Sequence, residues 1–362
     1  MADWSREEIL MLGIVRSNKL GILALGSVGL ATDLLVSKSW GLHRRIMRRA
    51  FIQSSARYEM SAEVSIEDSN WLVGLAGLAG VESVTPMDGG WDNSNTLLTL
   101  SDGTRFVLKI WYAQDEFGVQ TVIEQQLHLQ HHGIPTSVPI QFSDGSRYIM
   151  RDGFAWTLLP FVEGGMLGTD EGALESLGET IAKMQAVPLT DFFPRDYRMG
   201  WSMFEKMFKE SGPVSQWHEF MVLLKGEVDR LRVEIPDDLP EGILHGDLFP
   251  DNVLGGSKVA AIIDFEETWI GPRIFDLVMA FVGFGWLEGV PMQDRWEALL
   301  AGYESVNRLT DDERAALPAM HRYATLSIGA WRYWKHVMRE PDAELADRYL
   351  EMVDRLGVEF EF

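Results

Sequence analysis

The stretch that decides the fold is His245-Gly246-Asp247-Leu248-Phe249-Pro250-Asp251-Asn252, followed by Val259-Ala260-Ala261-Ile262-Ile263-Asp264-Phe265. An Asp, an Asn five positions on and a second Asp twelve positions after that close a short apolar run. One carboxylate placed to orient a hydroxyl, with two further oxygen donors at separate points, suits a reaction in which a divalent cation holds a charged group; magnesium prefers such hard oxygen donors. Asp and Asn also favour simple capped turns. That reading explains the first loop and leaves the second Asp and its strand without a reason.

The spacing is that of the catalytic loop and the metal loop of the kinase signature. In phosphoryl transfer Asp247 would orient the attacking hydroxyl, and Asn252 and Asp264 would hold Mg2+ against the phosphates of ATP. His245 reads as an anchor of the loop. Upstream, Lys109 lies in Val107-Leu108-Lys109-Ile110, and an ammonium embedded in an apolar strand needs an opposite charge. Glu124, 15 positions later on an expected helix, is the expected partner of Lys109, as in kinases where a helix glutamate steadies the strand lysine on the phosphates. Gly89-Gly90-Trp91-Asp92-Asn93-Ser94-Asn95 reads as a turn whose backbone N–H groups, at Gly90, Asn93, Ser94 and Asn95, could cradle phosphate. A plain β-turn is an equal reading of it.

Around these motifs the pattern is β-like first and helical later. Residues 96–100 and 104–111 flank Ser101-Asp102-Gly103 as an expected hairpin, and 115–132 as a helix ending at Gly133. Two more strands are expected at 148–150 and 156–159, then a connector at 160–165. Helices are expected at 171–186, 203–209, 218–231, 294–306 and 313–339, with one β-like segment near 253–265. The fold class is therefore α+β: a protein-kinase-like bilobal fold with a small antiparallel sheet (66–160), a mainly helical lobe (161–362) and a helical N-terminal extension (1–65).

At these residues the chain resembles the aminoglycoside phosphotransferase and choline kinase superfamily, and the string HGDLFPDNVL is similar to the homoserine-kinase-like branch. The likeness covers roughly residues 66–340. It implies ATP between the lobes, adenine against the backbone near Leu159, Phe161 and Val162, and substrate on the helical lobe. Asp276 matches the family's buried aspartate behind the catalytic loop, a structural role. Glu266, after Asp264-Phe265, is similar to the acid that helps with metal in choline kinases, or is an exposed loop acid. Trp331 and Arg332, in Trp331-Arg332-Tyr333-Trp334, resemble the tail of the homoserine-kinase branch; Arg332 would pair with a substrate carboxylate, or it points to solvent and the aromatics belong to the core.

Two features separate the chain from protein kinases. Gly246 stands where they carry the arginine that pairs with an activation-loop phosphate, and only 11 residues separate Asp264 from Asp276, too few for such a loop. The acceptor is expected to be a small-molecule alcohol, homoserine or another amino alcohol first, with choline, ethanolamine and aminoglycosides open. The rival reading is a catalytically silent nucleotide-binding module.

Composition bounds the rest. The 362 residues are 46% hydrophobic and 24% charged, the make-up of a globular protein, and the absence of cysteine excludes disulfides, thiolate metal sites and a cysteine nucleophile. A net charge of −22 argues against nucleic acid as a partner. Residues 1–60 hold nine Lys/Arg against five Asp/Glu, a balance of +4, so the rest of the chain carries −26. Residues 20–36 are apolar but contain Asp33 and fall short of the ~20 residues that span a bilayer, so no membrane insertion is expected. Acids at Asp3, Glu7 and Glu8 spoil a signal-peptide leader, and a cytoplasmic setting is expected. Arg44, Arg45, Arg48 and Arg49 make a basic arm that either touches anionic lipid or docks on the acidic body.

Overall fold

The computed structural model describes residues 64–87 and 92–362. The expected N-terminal extension, its basic arm and Gly90 lie outside the described residues. Among those described, no helix is long and apolar enough to cross a membrane.

The described residues open with a helix where the sequence pattern reads as β-like. α1 (Ile66–Leu75) is capped by Ser65, whose Oγ accepts from the Asp68 N–H at 3.0 Å, and Glu67 and Asp68 favour the positive end of the helix dipole. Five strands follow: β1 (Val81–Pro86), β2 (Asn93–Leu100), β3 (Arg105–Trp111), β4 (Ile149–Arg151) and β5 (Phe154–Pro160). They form one antiparallel sheet in the order β1-β2-β3-β5-β4. The β2–β3 turn works as its sequence suggests, with Gly103 at φ +83° and Asp102 Oδ1 accepting from the Thr104 N–H. α2 (Glu116–His131) is inserted between β3 and β4, capped by Asp115 and released at Gly133, φ +82°.

Alternation along β3 decides where its chemistry points. Phe106, Leu108 and Ile110 enter a core shared with Leu72, Val73, Leu98 and Leu158. Trp111 instead joins the core of the helical half, through Val119, Val122 and Ile123 of α2. Lys109 shares the Trp111 face, its ammonium 4.0 Å from the ring centroid. The lysine therefore looks into the space between the two cores.

The helical half contains α3 (Glu171–Gln185), α4 (Trp201–Glu210), α5 (Glu219–Glu234), α6 (Ile274–Phe284), α7 (Gln293–Glu304), α8 (Asp311–Tyr333) and α9 (Leu350–Leu356). Small antiparallel pairs lie among them: β6 (Glu241–Leu244) with β9 (Trp269–Pro272), β7 (Val253–Leu254) with β8 (Ala261–Ile262), and β10 (Trp286–Leu287) with β11 (Val290–Pro291). α6 was missed by periodicity because nearly every residue in it is apolar and buried, so it shows no polar face. The helix expected over 313–339 ends at Tyr333 and continues as a π-helical turn, Trp334–Arg339. The connector after β5 is fixed by Gly164, φ +110°, where a Cβ would stand 2.8 Å from the Gly255 carbonyl oxygen.

α3 and α7 cross through paired glycines. A Cβ on Gly178 would stand 2.1 Å from the Leu299 carbonyl oxygen, and one on Gly302 1.9 Å from that of Glu175. Backbone cannot yield as a side-chain tip does, so Gly302→Ala must separate the helices. We expect it to cost about 1–3 kcal/mol or more in urea unfolding; an unchanged midpoint would show that the crossing is looser than this geometry.

Candidate active site

The catalytic-loop motif leaves β6 as Gly242–Leu244 ends and is pinned from behind. Asp276, at the start of α6, accepts from the His245 N–H at 2.6 Å and from the Gly246 N–H at 3.0 Å. Complete burial pushes its carboxyl up to about 7 even with both backbone donors in place. The His245 ring accepts from the Asp247 N–H at Nδ1 (3.2 Å), so Nε2 carries the hydrogen and donates to the Ile263 carbonyl at 2.9 Å. Burial lowers this imidazole to about 4. It is a neutral strut between the two loops.

Gly246 is required twice. Its φ is +85°, and a Cβ would stand 2.6 Å from the Glu267 carbonyl oxygen. An arginine at this position, as in protein kinases, would not fit this turn. Tyr197 closes the loop from the side, donating from its hydroxyl to the Gly246 carbonyl at 2.7 Å while its ring stacks on Trp269.

Asp247 and Asn252 meet directly. Asn252 Nδ2 donates to the Asp247 carbonyl at 2.8 Å and to Asp247 Oδ2 at 3.0 Å. Burial first, then the nearby carboxylates Glu267, Asp251 and Asp264, push the Asp247 carboxyl up to about 8.

Asp264 ends the second loop in the left-handed region, φ 66° and ψ 63°, a conformation unfavourable for a side chain with a Cβ and found where function over-determines the backbone. It reaches the sheet. Lys109 Nζ donates to Asp264 Oδ1 at 3.0 Å and to Glu266 Oε1 at 2.7 Å. Burial alone would lower the Lys109 ammonium, but the two carboxylates outweigh it and hold it above its ordinary range. Asp264 is likewise held below its usual range: burial raises it, and Lys109 outweighs that.

The expected Lys109–Glu124 pair is not formed. Glu124 is exposed and accepts from Gln120 one turn back on α2, because the buried stripe of that helix runs through Val119, Val122, Ile123 and Gln126 and leaves 124 on the outer face. Glu266 takes its place. Its side chain is only 6% exposed and also accepts from Asn93 Nδ2 at 2.6 Å and Gln114 Nε2 at 3.3 Å, which removes the reading of Glu266 as an exposed loop acid.

Asn93, Ser94 and Asn95 are corrected too. They lie within β2, paired with Trp111, Ile110 and Lys109, so their backbones belong to the ladder and do not form a phosphate-cradling turn. Leu159 pairs with Val107 in β5, and Phe161 donates its N–H to the Arg105 carbonyl, with Val162 beginning the connector.

Arg332 is not directed at a substrate. It is 8% exposed and donates to Glu351 Oε2 at 2.7 Å and to the Arg348 carbonyl at 3.1 Å, tying α8 to the segment around α9. Trp331, beside it, lies 4.9 Å from the Lys335 ammonium. Three residues outside the sequence-based set border the site: Arg198, bonded through Nε to Glu267 Oε2 at 2.9 Å; Glu267 itself; and Lys335, ion-paired with Asp92. Only the double acid Glu266-Glu267 carried a hint in sequence.

Known proteins align with this geometry. Homoserine kinase from Neisseria meningitidis serogroup B is 29% identical over 285 residues, 76% of this chain and 90% of that protein. Homoserine kinase from Zymomonas mobilis is 28% identical over 283 residues, 72% of this chain and 83% of that protein. Among solved structures, an amicoumacin kinase in complex with AMP-PNP, Ca2+ and its ligand superposes with a TM-score of 0.63 at 16% identity, covering 82% of this chain and 95% of that one. Choline kinase from Streptococcus pneumoniae superposes at 0.58 and 15%, covering 81% and 99%. These likenesses establish the protein-kinase-like fold. The family model described as the phosphotransferase enzyme family matches residues 83–309, which takes in the sheet, both loops and Asp276, and the chain belongs to that family of small-molecule kinases.

Proposed function

We propose that the protein transfers the γ-phosphoryl group of ATP to the hydroxyl of a small amino-acid alcohol, with homoserine as the acceptor. The observation that carries it is the convergence of Lys109, Asp264 and Glu266 from opposite lobes beside the Asp247–Asn252 pair. The choice of acceptor rests on the homoserine kinases that align along most of their length.

Magnesium suits the donors present. With Nδ2 of Asn252 engaged by Asp247, its Oδ1 and the Asp264 carboxylate offer hard oxygens, and the carboxylates that add to burial in lifting Asp247 are charge that a divalent cation would offset. When bound there, the ion would neutralise charge on the phosphate oxygens. Asp247 orients the acceptor hydroxyl and takes its proton as the oxygen forms its bond to the γ-phosphorus and the bond from that phosphorus to ADP breaks. Lys109, steadied by Glu266, pairs with nucleotide phosphate. The nucleotide lies between residues 66–160 and 161–362, with the adenine near Leu159–Val162.

Purified protein with ATP and magnesium should release ADP with homoserine and yield a product heavier by one phosphoryl group in mass spectrometry. Phosphorylation of choline with no turnover of homoserine would overturn the choice of acceptor. Asp247→Asn should lower kcat by roughly 10²–10⁴-fold while ATP affinity, read by calorimetry, stays within a few-fold; equal loss of ATP binding would remove Asp247 from the base role.

The two glutamates give a second test. Glu266→Gln should lower turnover by about tenfold or more and also lower the melting temperature, since it strips one partner from a buried ammonium. Glu124→Gln should leave both near wild type. The reverse order would restore the helix glutamate as the partner of Lys109.

A further inference from the structure

Lys335 is placed by a feature that the sequence pattern conceals. α8 widens after Tyr333 into the π-helical turn Trp334–Arg339, a geometry that shifts side chains out of helical register and recurs at functional sites. The shift carries Lys335 inward: it is 6% exposed, its ammonium lies over the Trp331 ring, and it is ion-paired with Asp92, 243 positions away at the start of β2.

Asp92 meets its cation from the helical half. Besides Lys335, the Arg198 guanidinium feels the Asp92 charge together with those of Glu267 and Glu266. Arg198 is bonded to Glu267, whose charge acts on Asp247, and its neighbour Tyr197 bonds the Gly246 carbonyl. Asp92 directly precedes Asn93, whose Nδ2 donates to Glu266 Oε1 at 2.6 Å, so the Lys335–Asp92 pair adjoins the residues that hold Lys109. The side chains of the pair differ in reach: that of Asp92 is 31% exposed and that of Lys335 8%, so the seat opens on the Asp92 side.

We propose that Lys335 is the acceptor-recognition residue, its ammonium taking the carboxylate of the amino-acid alcohol in the seat that the Asp92 carboxylate fills in this structure. The proposal rests on the amino-acid-alcohol reading given above. A carboxylate is the right chemistry for the seat, because an ammonium beside an aromatic face already holds one there, supplied by the protein itself. Asp92 then acts as a resident competitor, leaving when the substrate carboxylate arrives. The arrangement discriminates against acceptors that lack the group, since their binding would leave Lys335 paired with Asp92 and gain nothing from it.

The test uses homoserine and 3-amino-1-propanol, which differ only in the carboxylate, with the full chain, ATP and magnesium. Wild type should prefer homoserine in kcat/KM. Lys335→Met should raise the KM for homoserine by roughly tenfold or more, leave that for 3-amino-1-propanol nearly unchanged, and spare the KM for ATP. Asp92→Ala should lower the KM for homoserine several-fold. This opposite sign protects the test should Lys335→Met fold poorly. If both variants raise the KM for ATP alike, the pair is a clasp between sheet and helices and the proposal falls. Equal losses for both acceptors in Lys335→Met also overturn it. A wild type that turns over 3-amino-1-propanol and not homoserine instead defeats the amino-acid reading, and the recognition proposal falls with it.

Discussion

One buried charge organises the molecule. Lys109 stands on the inner face of β3, where strand alternation leaves it no route to solvent, and its desolvation is offset by Asp264 and Glu266 from the other half of the fold. Breaking such a pair by deleting one partner typically costs about 3–5 kcal/mol, because the remaining charge stays buried. The sheet and the helical half are therefore coupled by a pairing that neither can satisfy alone. It explains why Asp264 holds a left-handed backbone: that turn aims its carboxylate across the gap, and Asn93, Gln114 and Glu266 complete the junction.

The catalytic loop depends on a second constraint, which has no charge to spare. Asp276 takes two consecutive N–H groups, His245 bridges to Ile263, and Tyr197 caps Gly246. Each contact satisfies a backbone group that a tight buried turn would otherwise leave without a partner. Asp247 is thereby presented on a rigid support, while Asn252 reaches back to fix its carboxylate. This is pre-organisation, and it requires a glycine at 246 because both φ and the Glu267 carbonyl forbid a larger residue.

Much of this was legible in the sequence, because phosphoryl-transfer chemistry imposes spacing within one chain segment, and Asp247, Asn252 and Asp264 lie within 18 residues. The hairpin carrying Lys109 was legible for a similar reason, its turn being written in Asp102-Gly103. Glu124 matches the motif by order but not by helical period: Val119, Val122, Ile123 and Gln126 mark one stripe of α2, and position 124 lies off it. Arg332 could not be resolved that way. Its partner Glu351 lies on another helix, and only the folded chain reveals that an arginine among aromatics is already engaged. The π-helical turn that turns Lys335 inward leaves no periodic mark at all.

The density of acids around the site gives the chemistry its direction. Asp247, Asp251, Asp264, Glu266 and Glu267 crowd a region whose cations, Lys109 and Arg198, are held by members of the same group. Burial first, and then this negative charge, raise the Asp247 carboxyl. A carboxyl lifted in this way is a better proton acceptor than an ordinary aspartate, and the repulsion that lifts it also favours a bound cation at the adjacent oxygens. On the reading proposed above, a divalent charge at those oxygens would draw the Asp247 carboxyl back towards its usual range and leave it ionised.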